Sequence, residues 1–225
     1  MEETPFTLKS KRFSSECGSS FSGEDTDIEI EINNSDLCEC LIHNITLAQI
    51  AKLRKILIAR IQTMAIEIVE VERNSSALPD ETIIHRLSLL PIHCVGMEKF
   101  VNMDECECGD ESGCTKCSIP FILDVTGKGT YRYMVTSDQI EFSRKNLEIT
   151  ASKIPIFFLR KGESVLIRGK IQKATGSIHS KWSPVTNSVV FSKVKNQSYR
   201  LSFEGIGQLN NVDVLKKALH ILNQS

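Results

Sequence analysis

Residues 46–61 read TLAQIAKLRKILIARI, and this stretch carries the clearest structural signal in the 225-residue chain. Thr46 followed by Gln49 matches a capping box, in which two side chains satisfy free backbone amides at the start of a helix. Apolar residues recur at helical spacing and predict one buried stripe. The stripe comprises Leu47, Ile50, Leu53, Leu57 and Ile61. The stretch therefore predicts an amphipathic helix over residues 46–60.

The opposite end of the chain predicts a second amphipathic helix. Asn211 is of a residue type that caps helices and stands just before the apolar periodicity begins. The stripe of this helix comprises Val214, Leu215, Ala218, Leu219 and Leu222.

Two strands are predicted ahead of the first helix. Acidic residues and isoleucine alternate over residues 27–32, which is the period of a half-buried strand, and 37–43 predicts the returning strand. A small sheet with two helices on one face leaves the outer helical face uncovered unless a partner packs there. The stripes therefore either cover only their own core or also contact a partner, and periodicity alone does not separate these alternatives. The two chain ends are expected to pair in space, with the middle of the chain as an inserted domain.

The middle of the chain is mainly strand-like, with one short helix that ends at Pro91. Alternating apolar residues and intervening glycine turns predict two hairpins. The predicted elements are a strand over 65–72, the helix over 80–90, a hairpin of 119–125 with 131–135, a hairpin of 155–159 with 164–173, and strands over 185–194 and 199–203.

Four of the eight cysteines fall within twelve positions, as Cys106, Cys108, Cys114 and Cys117. Four thiolates at such spacing suit one tetrahedral zinc ion. A site with four protein ligands has no open position for water, so the predicted zinc is structural. A redox pair and disulfides are the alternatives. Disulfides are typical of secreted chains, and residues 1–26 show no secretory signal and are expected to be a disordered tail.

Composition and motifs argue against several classes of function. The formal net charge is −1 and the pI about 6.5, whereas a free-standing nucleic-acid binder usually has a basic excess. Nucleic-acid contact is therefore expected only through partners. No apolar run approaches the roughly 18 residues of a membrane span. The five histidines are scattered, and neither a phosphate-binding loop nor a nucleophile motif is present, so no catalytic residues are predicted.

Longer blocks of the sequence resemble a known family. Residues 53–59 (LRKILIA), 63–66 (TMAI) and 74–92 (NSSALPDETIIHRLSLLPI) resemble the alpha-type subunits of DNA-dependent RNA polymerases, and 179–185 (HSKWSPV) resembles the second hallmark of that family. The cysteine loop resembles the zinc loop of the third-largest subunit of eukaryotic RNA polymerase II, with a longer gap between Cys108 and Cys114. The similarity runs from about Asp27 to the end of the chain.

The resemblance implies an α+β fold with two domains. Residues 27–62 and 190–225 would form a dimerisation domain, a small antiparallel sheet with two helices. Residues 63–189 would form a mainly β inserted domain that carries the zinc loop, 104–117. The implied role is non-catalytic: the chain pairs with a smaller alpha-like subunit, and the heterodimer supports assembly of the two large catalytic subunits. The expected location is the nucleus, or the cytoplasm or a virion if a virus encodes the chain.

Two alternatives remain at this point. One is the equivalent subunit of RNA polymerases I and III, against which the cysteine loop argues. The other is a free-standing zinc-binding or redox protein. Under the leading hypothesis, the residues expected to face the smaller subunit are Leu47, Ile50, Leu53, Arg54, Leu57, Leu215, Leu219 and Leu222.

Overall fold

The computed structural model describes residues 28–34, 36–129 and 131–224, which fall into two compact units. One unit combines the chain up to Ile61 with the part from Ser183 onward, and the other is Gln62–Trp182. The predicted disordered tail, residues 1–26, lies outside the described residues. Both units contain helices and antiparallel sheets, so the mixed α and β class predicted from the sequence is confirmed.

The described residues form three α-helices and twelve strands, with four short 3-10 turns between them. None of these helices combines the length and the apolar character needed to cross a membrane. In chain order the elements are β1 (Ile28–Asn33), β2 (Leu37–His43), α1 (Leu47–Ala59), β3 (Gln62–Asn74), α2 (Asp80–Ser88), β4 (Ile92–Cys94), β5 (Ser118–Thr126), β6 (Tyr133–Thr136), β7 (Glu141–Phe142), β8 (Leu147–Ile149), β9 (Pro155–Leu159), β10 (Ser164–Thr175), β11 (Val190–Lys195), β12 (Ser198–Glu204) and α3 (Asn211–Asn223).

The first unit is a four-stranded antiparallel sheet in the order β1-β2-β12-β11, and its helices α1 and α3 pack against each other. Alternate residues of β2 and β12 are buried, and they join the apolar stripes of both helices in one core. A bulge between Ile30 and Ile32 shifts the register of β1. Ile32 consequently pairs with Glu39 and is 41% exposed, although strict alternation predicts that it faces the core.

Helix caps explain where α1 and α3 begin. The capping box predicted for α1 is confirmed: the Thr46 hydroxyl accepts from the Gln49 amide, and the Gln49 side chain accepts from the Thr46 amide. The cap predicted for α3 is wrong by one residue, since Asn210 accepts the Val212 amide at 2.9 Å. Asn211 instead begins the helix, and its buried side chain donates to the Asn34 carbonyl at 3.1 Å.

The second unit has a six-stranded sheet in the order β7-β5-β10-β3-β4-β8 and a separate two-stranded ribbon, β6-β9. Both predicted hairpins are wrong, because β5 pairs with β10 and β7, whereas β6 pairs with β9. The twelve-residue β10 lies between β3 and β5 and bonds to each along most of its length. Alternation identified these strands, but it carries no information about which strand pairs with which.

The second unit ends at Trp182, within the block at 179–185. Trp182 is 3% exposed and donates from its ring nitrogen to the Gln172 carbonyl at 3.2 Å. Thr63 donates to the Trp182 carbonyl at 2.7 Å, so the first strand of the unit is tied to its last residue. Lys181 donates to the Ile66 carbonyl and lies 4.4 Å from the centre of the Trp182 ring. These contacts give Lys181 and Trp182 a structural role, because they tie the last residues of the second unit to its strands β3 and β10.

Candidate metal centre

The four cysteines predicted as ligands converge at one point. Cys106 follows the 3-10 turn Met103–Glu105, and Cys117 directly precedes β5. The Sγ atoms of Cys106 and Cys114 are 3.7 Å apart, those of Cys114 and Cys117 are 3.8 Å apart, and those of Cys108 and Cys117 are 4.0 Å apart. All four sulfur atoms lie within 4.8 Å of one another.

These distances fit a tetrahedral ion. Zn–S bonds of about 2.3 Å at tetrahedral angles place the sulfur atoms about 3.8 Å apart. The seven described cysteines are all free thiols, so the cluster contains no disulfide. Four thiolates would fill the coordination of zinc, and their role would be to fold the loop rather than to activate water. The longer gap between Cys108 and Cys114 does not prevent convergence, because Gly109 and Gly113 both adopt left-handed backbone angles.

The thiols of the cluster differ in their electrostatic surroundings. The backbone amide of Lys116 donates to Cys114 Sγ at 3.4 Å and lowers the pKa of that thiol to about 7. Burial raises the pKa of Cys117 to about 12. At neutral pH the metal-free cluster therefore retains protons, and metal binding would release them. Acidification would consequently weaken metal binding, because protons would compete for the same sulfur atoms.

Side chains far away in the sequence hold the loop in place. Lys170 in β10 donates from Nζ to Ser112 Oγ at 2.6 Å and to the Gly113 carbonyl at 2.8 Å. Arg144 donates to the Thr115 carbonyl at 3.0 Å, and its guanidinium lies 4.9 Å from the centre of the Phe100 ring. Neither cation is identifiable from the sequence, since the pairing of β10 with β5 brings Lys170 to the loop and Arg144 lies 29 positions from Thr115.

Gly113 provides a test of how tightly the loop encloses the cluster. A Cβ atom at Gly113 would lie 3.1 Å from Cys117 Sγ and 3.0 Å from Ser118 Oγ, whereas one at Gly109 would meet nothing within 4 Å. Both residues have positive φ, 79° and 64°, so alanine strains the backbone at either position by roughly 1 kcal/mol. We expect Gly113→Ala to weaken zinc binding more than Gly109→Ala, as measured by competition with a chromophoric chelator. Equal affinities in the two variants would show that the contact with Cys117 is unimportant.

The seven apolar residues predicted to face a partner fall into two groups. Ile50, Leu53, Leu57 and Leu215 are at most 3% exposed and lie in the core of their own unit. Leu47 is 60% exposed, and Leu219 and Leu222 are partly buried at the edge of that core. Arg54 donates from Nε to the Val189 carbonyl at 2.8 Å, which anchors the strand that follows the inserted unit. Direct contact with a partner is therefore open to Leu47, Leu219, Leu222 and the partly buried Arg54 rather than to the whole set.

Comparison with known proteins agrees with the resemblance described above. The family model described as the RNA polymerase Rpb3/RpoA insert domain matches residues 66–189. The chain is 33% identical to DNA-directed RNA polymerase II subunit rpb3 of Dictyostelium discoideum, over 69% of this chain and 53% of that protein. It is 32% identical to RNA polymerase II subunit RPB3 of Schizosaccharomyces pombe, over 74% and 60% of the respective chains.

An archaeal relative is matched over a larger share of its length. DNA-directed RNA polymerase subunit Rpo3 of Methanocaldococcus jannaschii is 30% identical, over 76% of each protein. The chain spans about half the length of the eukaryotic relatives that it matches. The family match covers more than half of the chain and includes the whole cysteine cluster. The chain therefore belongs to the Rpb3/RpoA family, the alpha-type subunits of DNA-directed RNA polymerases.

Proposed function

We propose that the chain is a non-catalytic assembly subunit of a DNA-directed RNA polymerase of the II type. It would form an obligate heterodimer with a smaller alpha-like subunit, and the heterodimer would be the platform for the two large catalytic subunits. Contact with nucleic acid would occur only through the assembled enzyme. The observation that carries the proposal is the family match together with a unit, made from both chain ends, that places two helices side by side.

The helical face of this unit supports the proposed dimerisation. Leu47 stands at the start of α1 with 60% of its surface exposed, and Leu219 and Leu222 lie at the edge of the core on α3. A partner that packs on this face would cover the apolar surface that these three side chains leave accessible, and contiguous apolar patches mark protein–protein interaction sites. Obligate interfaces bury roughly 2,000 Å² or more, so neighbouring residues of both helices would also take part.

The cysteine cluster supports the polymerase class. The four sulfur atoms can hold one structural zinc ion, and the sequence resemblance of this loop is to the polymerase II type. Two relatives named as RNA polymerase II subunits match the chain at 32–33% identity. A nuclear location follows from this proposal for a eukaryotic enzyme.

Affinity purification of the tagged chain under mild conditions tests the proposal. Mass spectrometry of the bound proteins is expected to identify a smaller alpha-like subunit in equal amount, together with two large catalytic subunits. Transcription activity should co-elute with the large subunits and be lost when they dissociate. Recovery of the chain alone, or with subunits specific to polymerases I and III, would contradict the proposal.

A further inference from the structure

The β6-β9 ribbon of the second unit has one buried and one exposed face at its Met134–Phe158 end, whereas Thr136 and Ile156 at the other end are buried. Val135 and Phe157 lie opposite each other and are at most 3% exposed. The next pair, Met134 and Phe158, lies on the other face with 45% and 51% of its surface exposed. Directly opposed residues on one face of an antiparallel pair have Cβ atoms about 5 Å apart. Met134 and Phe158 therefore form a single apolar contact surface.

Two arginines adjoin this pair at one end of the ribbon, and two lysines lie in the chain segments next to that end. Arg132 and Arg160 flank the paired residues Tyr133 and Leu159, and continued alternation places both on the face of the apolar pair. The turn after β9 bonds back to the residue after β5: the Gly162 amide donates to the Gly127 carbonyl at 3.2 Å. This bond holds the backbone next to Lys128 close to the backbone next to Lys161, which follows Arg160 in the turn.

The charge of this surface is not neutralised within the part of the chain that the structure describes. Arg132, Arg160, Lys128 and Lys161 are all exposed, and none forms an ion pair with a described carboxylate. Glu163, the carboxylate of the turn, accepts the backbone amide of Arg160 at 2.8 Å. This part of the second unit therefore carries a local excess of positive charge, although the formal net charge of the chain is −1.

We propose that this surface docks an acidic peptide segment of a protein partner that carries apolar anchor residues. We call it the ribbon surface, defined by Lys128, Arg132, Met134, Phe158, Arg160 and Lys161. Carboxylates of the segment would pair with the four cations, and an apolar side chain would cover Met134 and Phe158. Charge complementarity would steer and orient the segment, and the apolar contact would slow its dissociation. The inference does not depend on the proposed polymerase role.

The composition of the ribbon surface favours a peptide over nucleic acid. Single-stranded nucleic acid binds by stacking its bases on aromatic rings beside a charged groove. Half of the apolar pair is Met134, whose flexible thioether adapts to peptide side chains and offers no ring for stacking. The nearby Tyr131 is 87% exposed and could stack a base, so single-stranded RNA is included in the experiment as a competing ligand.

Fluorescence anisotropy of the full chain with labelled probes tests the proposal. The probes are a short peptide of alternating acidic and Phe or Leu residues, the same peptide with Asn and Gln in place of the acids, and oligouridine of equal charge. We expect the acidic peptide to bind at least tenfold more tightly than both others. The triple variant Arg132→Gln, Arg160→Gln, Lys161→Gln should bind it about tenfold more weakly, and this difference should shrink at high salt. Phe158→Ser should weaken binding about tenfold at any salt concentration.

A matched control combines Lys99→Gln with Ile178→Ser, which changes an exposed cation and a 63% exposed apolar residue outside the ribbon. This variant should bind the acidic peptide like the unmodified chain, and all variants should keep the same melting temperature. Three outcomes would overturn the proposal: no binding of the acidic peptide, equal binding of the neutral peptide, or unchanged affinity in the ribbon variants. Tighter binding of oligouridine would assign the surface to nucleic acid instead.

Discussion

Replacing Cys114 with serine is expected to abolish stoichiometric zinc binding and to unfold the cysteine loop. The sulfur atom of Cys114 lies 3.7 Å from that of Cys106 and 3.8 Å from that of Cys117. A hydroxyl is a poor zinc ligand, and a closed site has no spare donor to replace it. The affinity should fall by more than the roughly 10–100-fold that loss of an outer-shell partner costs. Metal analysis of reduced, chelator-free protein gives the stoichiometry, and limited proteolysis reports the loop.

Cys94→Ser is the matched control for this prediction. Cys94 is a buried thiol in β4 and does not belong to the cluster, so its replacement should leave one zinc ion per chain. Less than one-tenth of an equivalent of zinc in the unmodified chain would refute the metal assignment outright. Retention of a full equivalent in the Cys114 variant would show that another donor completes the site.

The sequence predicted elements well where the signal is local. The capping box at Thr46 and Gln49 involves residues three positions apart, and helical periodicity is set by the backbone. Pairing of strands depends on contacts between distant residues, which is why the hairpin signals failed. Residues 155–159 look like the first arm of a hairpin because Lys161 and Gly162 form a turn. In the structure that turn redirects the chain from the ribbon into β10.

The candidate metal site shows the same difference between local and long-range signals. The spacing of possible ligands within a short loop can be read directly from the sequence. All four cysteines could therefore be predicted as ligands, and the structure brings them together. Lys170 and Arg144 could not be named, because each reaches the loop from another part of the fold. Apolar periodicity likewise predicted that Leu53 is buried but not which elements bury it. In the structure the sheet of its own unit and α3 bury this residue.

Leu53→Asp is expected to unfold the first unit rather than to disrupt a surface. Leu53 is fully buried in a core formed by β2, β12 and α3. Removing a buried leucine side chain costs about 2–5 kcal/mol, and an unpaired carboxylate in the same place adds several kcal/mol more. The sum is comparable with the total stability of a typical domain, about 5–15 kcal/mol. Circular dichroism of the variant should show loss of cooperative melting of this unit, together with aggregation.

Leu47→Asp separates folding from association in the same helix. Leu47 is the first residue of α1, is 60% exposed, and an aspartate there interacts favourably with the helix dipole. The variant should therefore melt like the unmodified chain, yet bind the smaller subunit at least tenfold more weakly, because a charge would enter the proposed apolar interface. Co-expression followed by size-exclusion chromatography measures both properties. If Leu47→Asp co-elutes with the partner as the unmodified chain does, the start of α1 lies outside the interface. If Leu53→Asp keeps its melting temperature, the first unit does not have the core described above.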